Sequence, residues 1–185
     1  MPSRLAGGVR VDWRSTVGAG MSEADEVARN KAIKRLDFPS LLPAPIEEVW
    51  RITTDFDFVV ELLKPWFTIS YDRSNAGHEL RAGWTKDTDW HLLGIIPYGR
   101  WHEEIVEWNP PYRFVDSITG TPFKFWLHTH LYERRGESST LYTDRLEIDP
   151  GLMGPVGLGF IRMVWAPRLV KLRRYFEQYR SGPLG

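Results

Sequence analysis

The spacing of apolar residues changes twice along the chain, and each change marks a new kind of element. Residues 1–30 show no sustained apolar period; they carry Gly7, Gly8, Gly18 and Gly20 and then a polar stretch over 22–30. The segment reads as a flexible N-terminal arm, as chain ends commonly are, which leaves residues 31–182 as the folded domain. Residues 33–42 read as extended and stop at Pro43. Pro45 then occupies a first-turn position, followed by Glu47 and Glu48 where the positive end of a helix dipole favours acids. Val49, Trp50 and Thr53 would face inward from this helix. Asp55 would cap a second short one over 56–63, which Pro65 ends.

Beyond Pro65 the period falls to two. Strands are expected over 67–73, 79–89, 98–108, 112–119, 123–134 and 140–148, separated by turns at 74–77, 94–97, 109–111, 120–122 and 135–139. The period then returns to three and four, with Leu169, Leu172, Phe176 and Tyr179 on one helical face. Ile161, Val164 and Trp165 extend that stripe backwards, and Pro167 either starts the helix or kinks it. Short links between successive strands imply an antiparallel meander. Such a sheet must wrap the one long helix to bury its apolar face, which makes the class α+β.

Composition adds an aromatic excess: nine Trp, nine Phe and seven Tyr make up 14% of 185 residues. Such side chains bury large areas while Trp and Tyr keep a polar handle, which suits an apolar wall that must orient something; a packed core uses them equally. Basic and acidic residues balance at 24 each, so no global field steers polyanions and no nucleic-acid partner is expected. The lack of cysteine removes disulfides, thiolate catalysis and Cys-based metal sites. No apolar run is long enough to span a membrane and no signal-peptide pattern opens the chain, so the expected location is the cytoplasm. Transient membrane contact and the oligomeric state stay open.

Several local motifs fit this order. Ala44-Pro45-Ile46-Glu47-Glu48-Val49-Trp50 is followed by Thr54-Asp55, and a strand-turn-strand reads Ile105-Val106-Glu107-Trp108-Asn109-Pro110-Pro111-Tyr112-Arg113-Phe114. Phe125-Trp126-Leu127-His128-Thr129-His130 is followed by Tyr142-Thr143-Asp144-Arg145-Leu146-Glu147 and Gly154-Pro155-Val156-Gly157. Together they resemble the START/Bet v 1-like (SRPBCC) superfamily over residues 32–180. The last group is similar to a ligand-binding subgroup related to the domain appended to some nucleoside-diphosphate-sugar epimerases. The resemblance implies a helix-grip fold: a curved antiparallel sheet around a long C-terminal helix, two short helices after the first strand, and a cavity between sheet and helix. It supplies no reaction, because this fold serves carriers, cyclases and hydrolases alike.

Strand 123–134 puts Trp126, His128, His130 and Tyr132 on one face and Phe123, Phe125, Leu127, Thr129 and Leu131 on the other. Both faces are largely apolar, so alternation alone leaves open which one lines the interior. The next strand is clearer: Thr143, Arg145, Glu147 and Asp149 want water, against Tyr142, Asp144, Leu146 and Ile148. The family pattern at Tyr132 implies that it points inward, which carries both histidines with it. Candidate ligand contacts are therefore Trp84, Trp101, Glu103, Phe114 and Trp126, together with His128, His130, Tyr142, Asp144 and Trp165; no catalytic residue is assigned.

A neutral imidazole donates and accepts, and its ordinary pKa near 6.5 suits proton transfer. The plainer alternative is a pair of strand histidines that satisfy one another and Asp144, the nearest suitable partner. His-X-His with Asp144 could also hold a metal, but no HExxH or other fixed ligand set accompanies it, so neither metal nor cofactor is expected. Residues 151–159 hold four glycines without GxxxxGK[ST]. They read as a flexible hinge that gates the cavity together with the short helices over 50–66. His78 and His91 read as solvated, and Arg173-Arg174 as a polar helix face.

The favoured function is binding or carriage of an apolar or amphipathic small molecule, lipid-, polyketide- or isoprenoid-like, since such pockets join apolar walls to a few placed polar groups. One alternative is an enzyme of the polyketide cyclase/aromatase type that moves protons through His128, His130, Asp144 or Glu103. The other is a protein-interaction module, which an exposed apolar patch instead of a closed cavity would favour.

Overall fold

The computed structural model describes residues 9–10, 31–72 and 80–180; of residues 9–10 and 179–180 only the backbone is described. The rest of the expected arm, the 74–77 turn and His78 lie outside the described residues, as does the Tyr179 side chain.

In chain order the elements are β1 (Val9–Arg10), β2 (Lys34–Leu42), α1 (Ile46–Thr53), α2 (Phe56–Leu62), β3 (Phe67–Ser70), β4 (Thr85–Leu92), β5 (Ile96–Asn109) and β6 (Arg113–Thr119). Then follow β7 (Phe125–Arg134), β8 (Thr140–Asp149), a 3-10 turn (Gly151–Met153) and α3 (Gly154–Arg180). Asp55 caps α2 by accepting a hydrogen bond from the Phe58 amide at 3.2 Å. Pro45 stands one place earlier than expected, as the N-cap of α1.

The sheet is antiparallel, in the order β2-β8-β7-β6-β5-β4-β3, and β1 adds to β5 by pairing Val9 with Trp108 and Arg10 with Glu107. β2 supplies one edge, α1 and α2 carry the chain across to the other edge at β3, and a meander returns it to β8. The curved sheet and the long helix form the helix-grip fold. Along β8 burial alternates strictly: Tyr142, Asp144, Leu146 and Ile148 are fully buried, and the residues between them are half-buried. Ile161, Val164, Trp165, Leu169, Leu172 and Phe176 bury the matching stripe of α3. α3 continues past Pro167, which lies inside the helix and does not start it. Burial of Trp165 and Leu169 on either side offsets the cost of a proline inside a helix, about 3 kcal/mol. No helix among the described residues is long and apolar enough to cross a membrane.

Two expectations need correction. β4 starts at Thr85 rather than at residue 79, because Gly83 adopts φ 74 and the Trp84 amide turns back to the Arg81 carbonyl. Residues 151–159 are not a hinge loop: after Gly154, at φ 50, they form the first turns of α3. Gly157 is there for closeness, since a Cβ would stand 2.7 Å from Met153 Cβ and 3.1 Å from Phe123 Cε1. Gly120 has a similar reason in the β6–β7 turn, where a Cβ would meet the Arg100 carbonyl oxygen at 2.5 Å.

Candidate functional site

The middle strands present their inward positions as one patch. Register sets His130 opposite Asp144 and Tyr132 opposite Tyr142 on β8, while on β6 Phe114 faces His130 and Asp116 faces His128. Trp126, His128, His130 and Tyr132 all point inward and are buried. This resolves the face of β7. The opposite face is apolar because Leu127 packs with Val106, Val115 and Phe125 in a separate small cluster.

Between this patch, α2 and α3 lies a cavity of about 60 Å³, room for a few waters at roughly 10–15 Å³ each. Phe56, Val59 and Val60 of α2, Trp90, Ile118 and Trp165 make much of its apolar wall, and Glu103, Asp116, His128, His130 and Arg168 gather at its polar end. Of the ten candidates, Trp84, Trp101, Glu103, Phe114, His128, His130 and Trp165 line the cavity; Trp126, Tyr142 and Asp144 do not. Trp126 packs on Trp101 and on Trp165, at 5.6 Å from each ring. Tyr142 and Asp144 instead hold the histidines through hydrogen bonds. His91 lies next to the last residue of β4, close to the 93–95 turn as expected, and is half-buried rather than fully solvated.

Asp144 accepts from His128 Nε2 and from Arg168 Nη1, and the Tyr142 hydroxyl donates to it at 3.1 Å. His130 Nδ1 shares a 2.7 Å hydrogen bond with the Tyr142 hydroxyl, and its Nε2 lies 3.2 Å from Asp116 Oδ1. His130 also stacks on Phe114 at 3.9 Å. The Tyr132 hydroxyl is bonded to Thr53 Oγ1 at 2.8 Å, which ties β7 to α1. Trp90 Nε1 donates to Thr88 at 2.9 Å, and the Thr88 hydroxyl lies 3.0 Å from Glu103 Oε1.

Burial sets the charges. It works to lower the His128 pKa, yet Asp144 and Asp116 together lift it to about 9, so this imidazole is cationic. Burial and the neighbouring His128 charge push His130 down to about 4, leaving it neutral. Burial works to raise Asp116, but the cationic His128 beside it holds it at about 2. Asp144 is kept far below the usual carboxylate range against its burial, chiefly by Arg168 and His128. Burial and the Asp116 charge raise Glu103 to about 8, so it keeps its proton at neutral pH. The buried cluster thus pairs two anions, Asp116 and Asp144, with two cations, His128 and Arg168.

Asp116 and Arg168 were absent from the sequence-based candidates, though each carried a signal. Asp116 alternates with Phe114 and Ile118, an acid on an otherwise apolar strand face. Arg168 falls on the apolar stripe of α3, between Val164 and Leu172 at helical spacing. Asp116, His128 and His130 bring three potential ligand atoms within 4.8 Å of one another. Asp116 thus completes the metal-spaced grouping, while Asp144 meets the same histidines at their other nitrogens, bonded to His128 Nε2 and 3.6 Å from His130 Nδ1. Among the described residues, the indole nitrogens of Trp101, Trp126 and Trp165 and Nε of Arg168 are buried donors without an acceptor.

A family model described as Domain of unknown function (DUF8410) matches residues 40–176. No curated protein matches the chain. Among solved structures, the Zhui aromatase/cyclase from a Streptomyces species is 10% identical, with a TM-score of 0.64, covering 83% of this chain and 99% of that one. Protein CV1439 from Chromobacterium violaceum is 17% identical with a TM-score of 0.62, over 77% and 97% of the two chains. XoxI from Bacillus cereus is 14% identical with a TM-score of 0.59, over 79% and 97%. Likeness at such identities shows a shared fold, the SRPBCC-type helix grip.

Proposed function

The chain belongs to the family described as Domain of unknown function (DUF8410), whose match runs from β2 into α3, and from that premise we propose that it binds or carries an apolar or amphipathic small molecule in the cavity. The observation that carries this reading is an aromatic and aliphatic wall that ends in a buried polar cluster, with indole and guanidinium donors nearby that lack an acceptor. A buried donor left unpaired costs about 1–3 kcal/mol. A ligand with oxygen acceptors on an apolar body, lipid-, polyketide- or isoprenoid-like, would relieve that cost.

Small-molecule pockets usually enclose about 300–1,000 Å³, more than the free space here, so the ligand parts the aromatic walls as it enters. The short helix α2 is the element that yields, since its Phe56, Val59 and Val60 form one side of the cavity and it spans only seven residues. The motif Phe125–His130, with the strand that follows it, supports placement in the ligand-binding subgroup related to epimerase-appended domains.

A second reading, proton transfer of the polyketide cyclase/aromatase kind, is favoured by one observation. A cationic His128 and a protonated Glu103 both face the cavity, on the fold that the Streptomyces aromatase/cyclase also has.

Trp84, Trp90, Trp101 and Trp165 line the cavity, so tryptophan emission reports its occupancy. Titration with 1-anilinonaphthalene-8-sulfonate should quench it saturably at one probe per chain. Ile118→Trp, which fills the cavity, should weaken that binding at least about tenfold, or about 1.4 kcal/mol. Linear, unsaturated quenching, or equal affinity in a folded Ile118→Trp variant, would count against the reading.

A further inference from the structure

Each histidine at the polar end of the cavity has one nitrogen tied outward and the other turned toward the same carboxylate oxygen. His128 Nε2 is bonded to Asp144, which Arg168 also holds, and His130 Nδ1 is bonded to the Tyr142 hydroxyl at 2.7 Å. The remaining nitrogens, His128 Nδ1 and His130 Nε2, stand 3.6 and 3.2 Å from Asp116 Oδ1. One proton arrangement satisfies every outward contact. His128 Nε2–H donates to Asp144, His130 Nδ1–H donates to Tyr142, and the Tyr142 hydroxyl donates to Asp144 at 3.1 Å. With His128 deprotonated at Nδ1, two imidazole lone pairs and a carboxylate face one point, a place that suits a cation.

The spacing is that of a metal site. Nitrogen and oxygen ligands about 2.0–2.1 Å from zinc in tetrahedral geometry lie about 3.3–3.4 Å from one another. The observed 3.2 and 3.6 Å bracket that separation, and all three ligand atoms lie within 4.8 Å of one another. Metal-ligating imidazoles characteristically donate their far N–H to a carboxylate or another fixed acceptor, as Asp144 and Tyr142 provide here. We propose that Asp116, His128 and His130 form a binding site for a divalent transition metal of the zinc class, with its open coordination position turned into the cavity. Without metal, a proton on His128 fills the same place. Replacing one proton by a divalent ion raises the local charge by one, so the open position favours an anionic oxygen, from hydroxide or from a carboxylate or enolate. The site is independent of the ligand-binding reading, and a metal-free protein would leave that reading untouched.

The test uses the full chain, freed of metal with a chelator and titrated calorimetrically with zinc sulfate, and in parallel with cobalt(II) followed by visible absorption. One equivalent should bind, and cobalt should develop the d–d bands of a four- or five-coordinate ion. His130→Gln and Asp116→Asn should abolish saturable binding, and Tyr142→Phe should weaken it about tenfold, as loss of an orienting partner does. His102→Gln should change nothing, since His102 is exposed and paired with Asp87 on the outside. Absence of stoichiometric zinc binding and of the cobalt bands in the wild-type protein overturns the proposal whatever the variants do. Binding that survives in a folded His130→Gln chain, or vanishes in His102→Gln, overturns it equally.

Discussion

Asp144 takes donors from a histidine, an arginine and a tyrosine at once, and none of its surface reaches solvent. Removing its charge would strand Arg168, which is itself buried. Asp144→Asn should therefore lower stability by about 3–5 kcal/mol, the usual cost of breaking a buried pair from one side. Asp144→Leu combined with Arg168→Met should recover much of it; chemical denaturation of the single and double variants checks both. The same logic extends to His128, one of the two buried cations: His128→Gln should lower stability as well.

Glu103 gives a pH signature. Its folded pKa, raised to about 8 from an ordinary 4.5, means that between those values the folded chain holds a proton that the unfolded chain has released. Its contribution to stability therefore falls as pH rises through that window. Glu103→Gln cannot ionise, so the wild-type melting temperature should drop relative to the variant from pH 5 to pH 8. Parallel curves would show that Glu103 is ionised when folded. Most of this chemistry was legible as residue types: His-X-His, Asp144 and Glu103 stand out from the sequence. Asp116 and Arg168 did not, because an acid between Phe114 and Ile118, or an arginine in a helical stripe, looks like an ordinary interruption until cross-strand register places them together.

At the scale of elements, alternation located every strand of the meander, and the three-four spacing found the stripe of α3. The 151–159 segment failed because its glycines suggest freedom, whereas Gly157 serves close packing against Phe123. With 154–159 helical, the proposed entrance lies at α2 instead. α2 carries Phe56, Val59 and Val60 into the cavity wall, while the start of α3 contributes nothing to it before Trp165. Hydrogen exchange should be faster in α2 than in β7 and β8, and it should slow in α2 when a cavity ligand binds, because opening there costs least. Protection of α2 that is as high as in β7 and unchanged by ligand would place the entrance elsewhere.

For the whole molecule, the α+β class and the wrapped helix followed from element order alone, since a half-apolar sheet and one amphipathic helix have few ways to bury each other. The face of β7 that lines the interior did not follow, because Leu127 and Phe125 make its outer side apolar as well. Function was legible only as a kind of cavity: aromatic residues signal apolar volume but do not say what fills it. Native mass spectrometry of the full chain, purified from its natural host cell or incubated with an organic extract of that cell, tests the central claim most directly. The expected result is one small molecule bound per chain, released on collisional activation and lost in the Ile118→Trp variant. Spectra that show only the bare polypeptide after both treatments would contradict a ligand-binding role for the cavity.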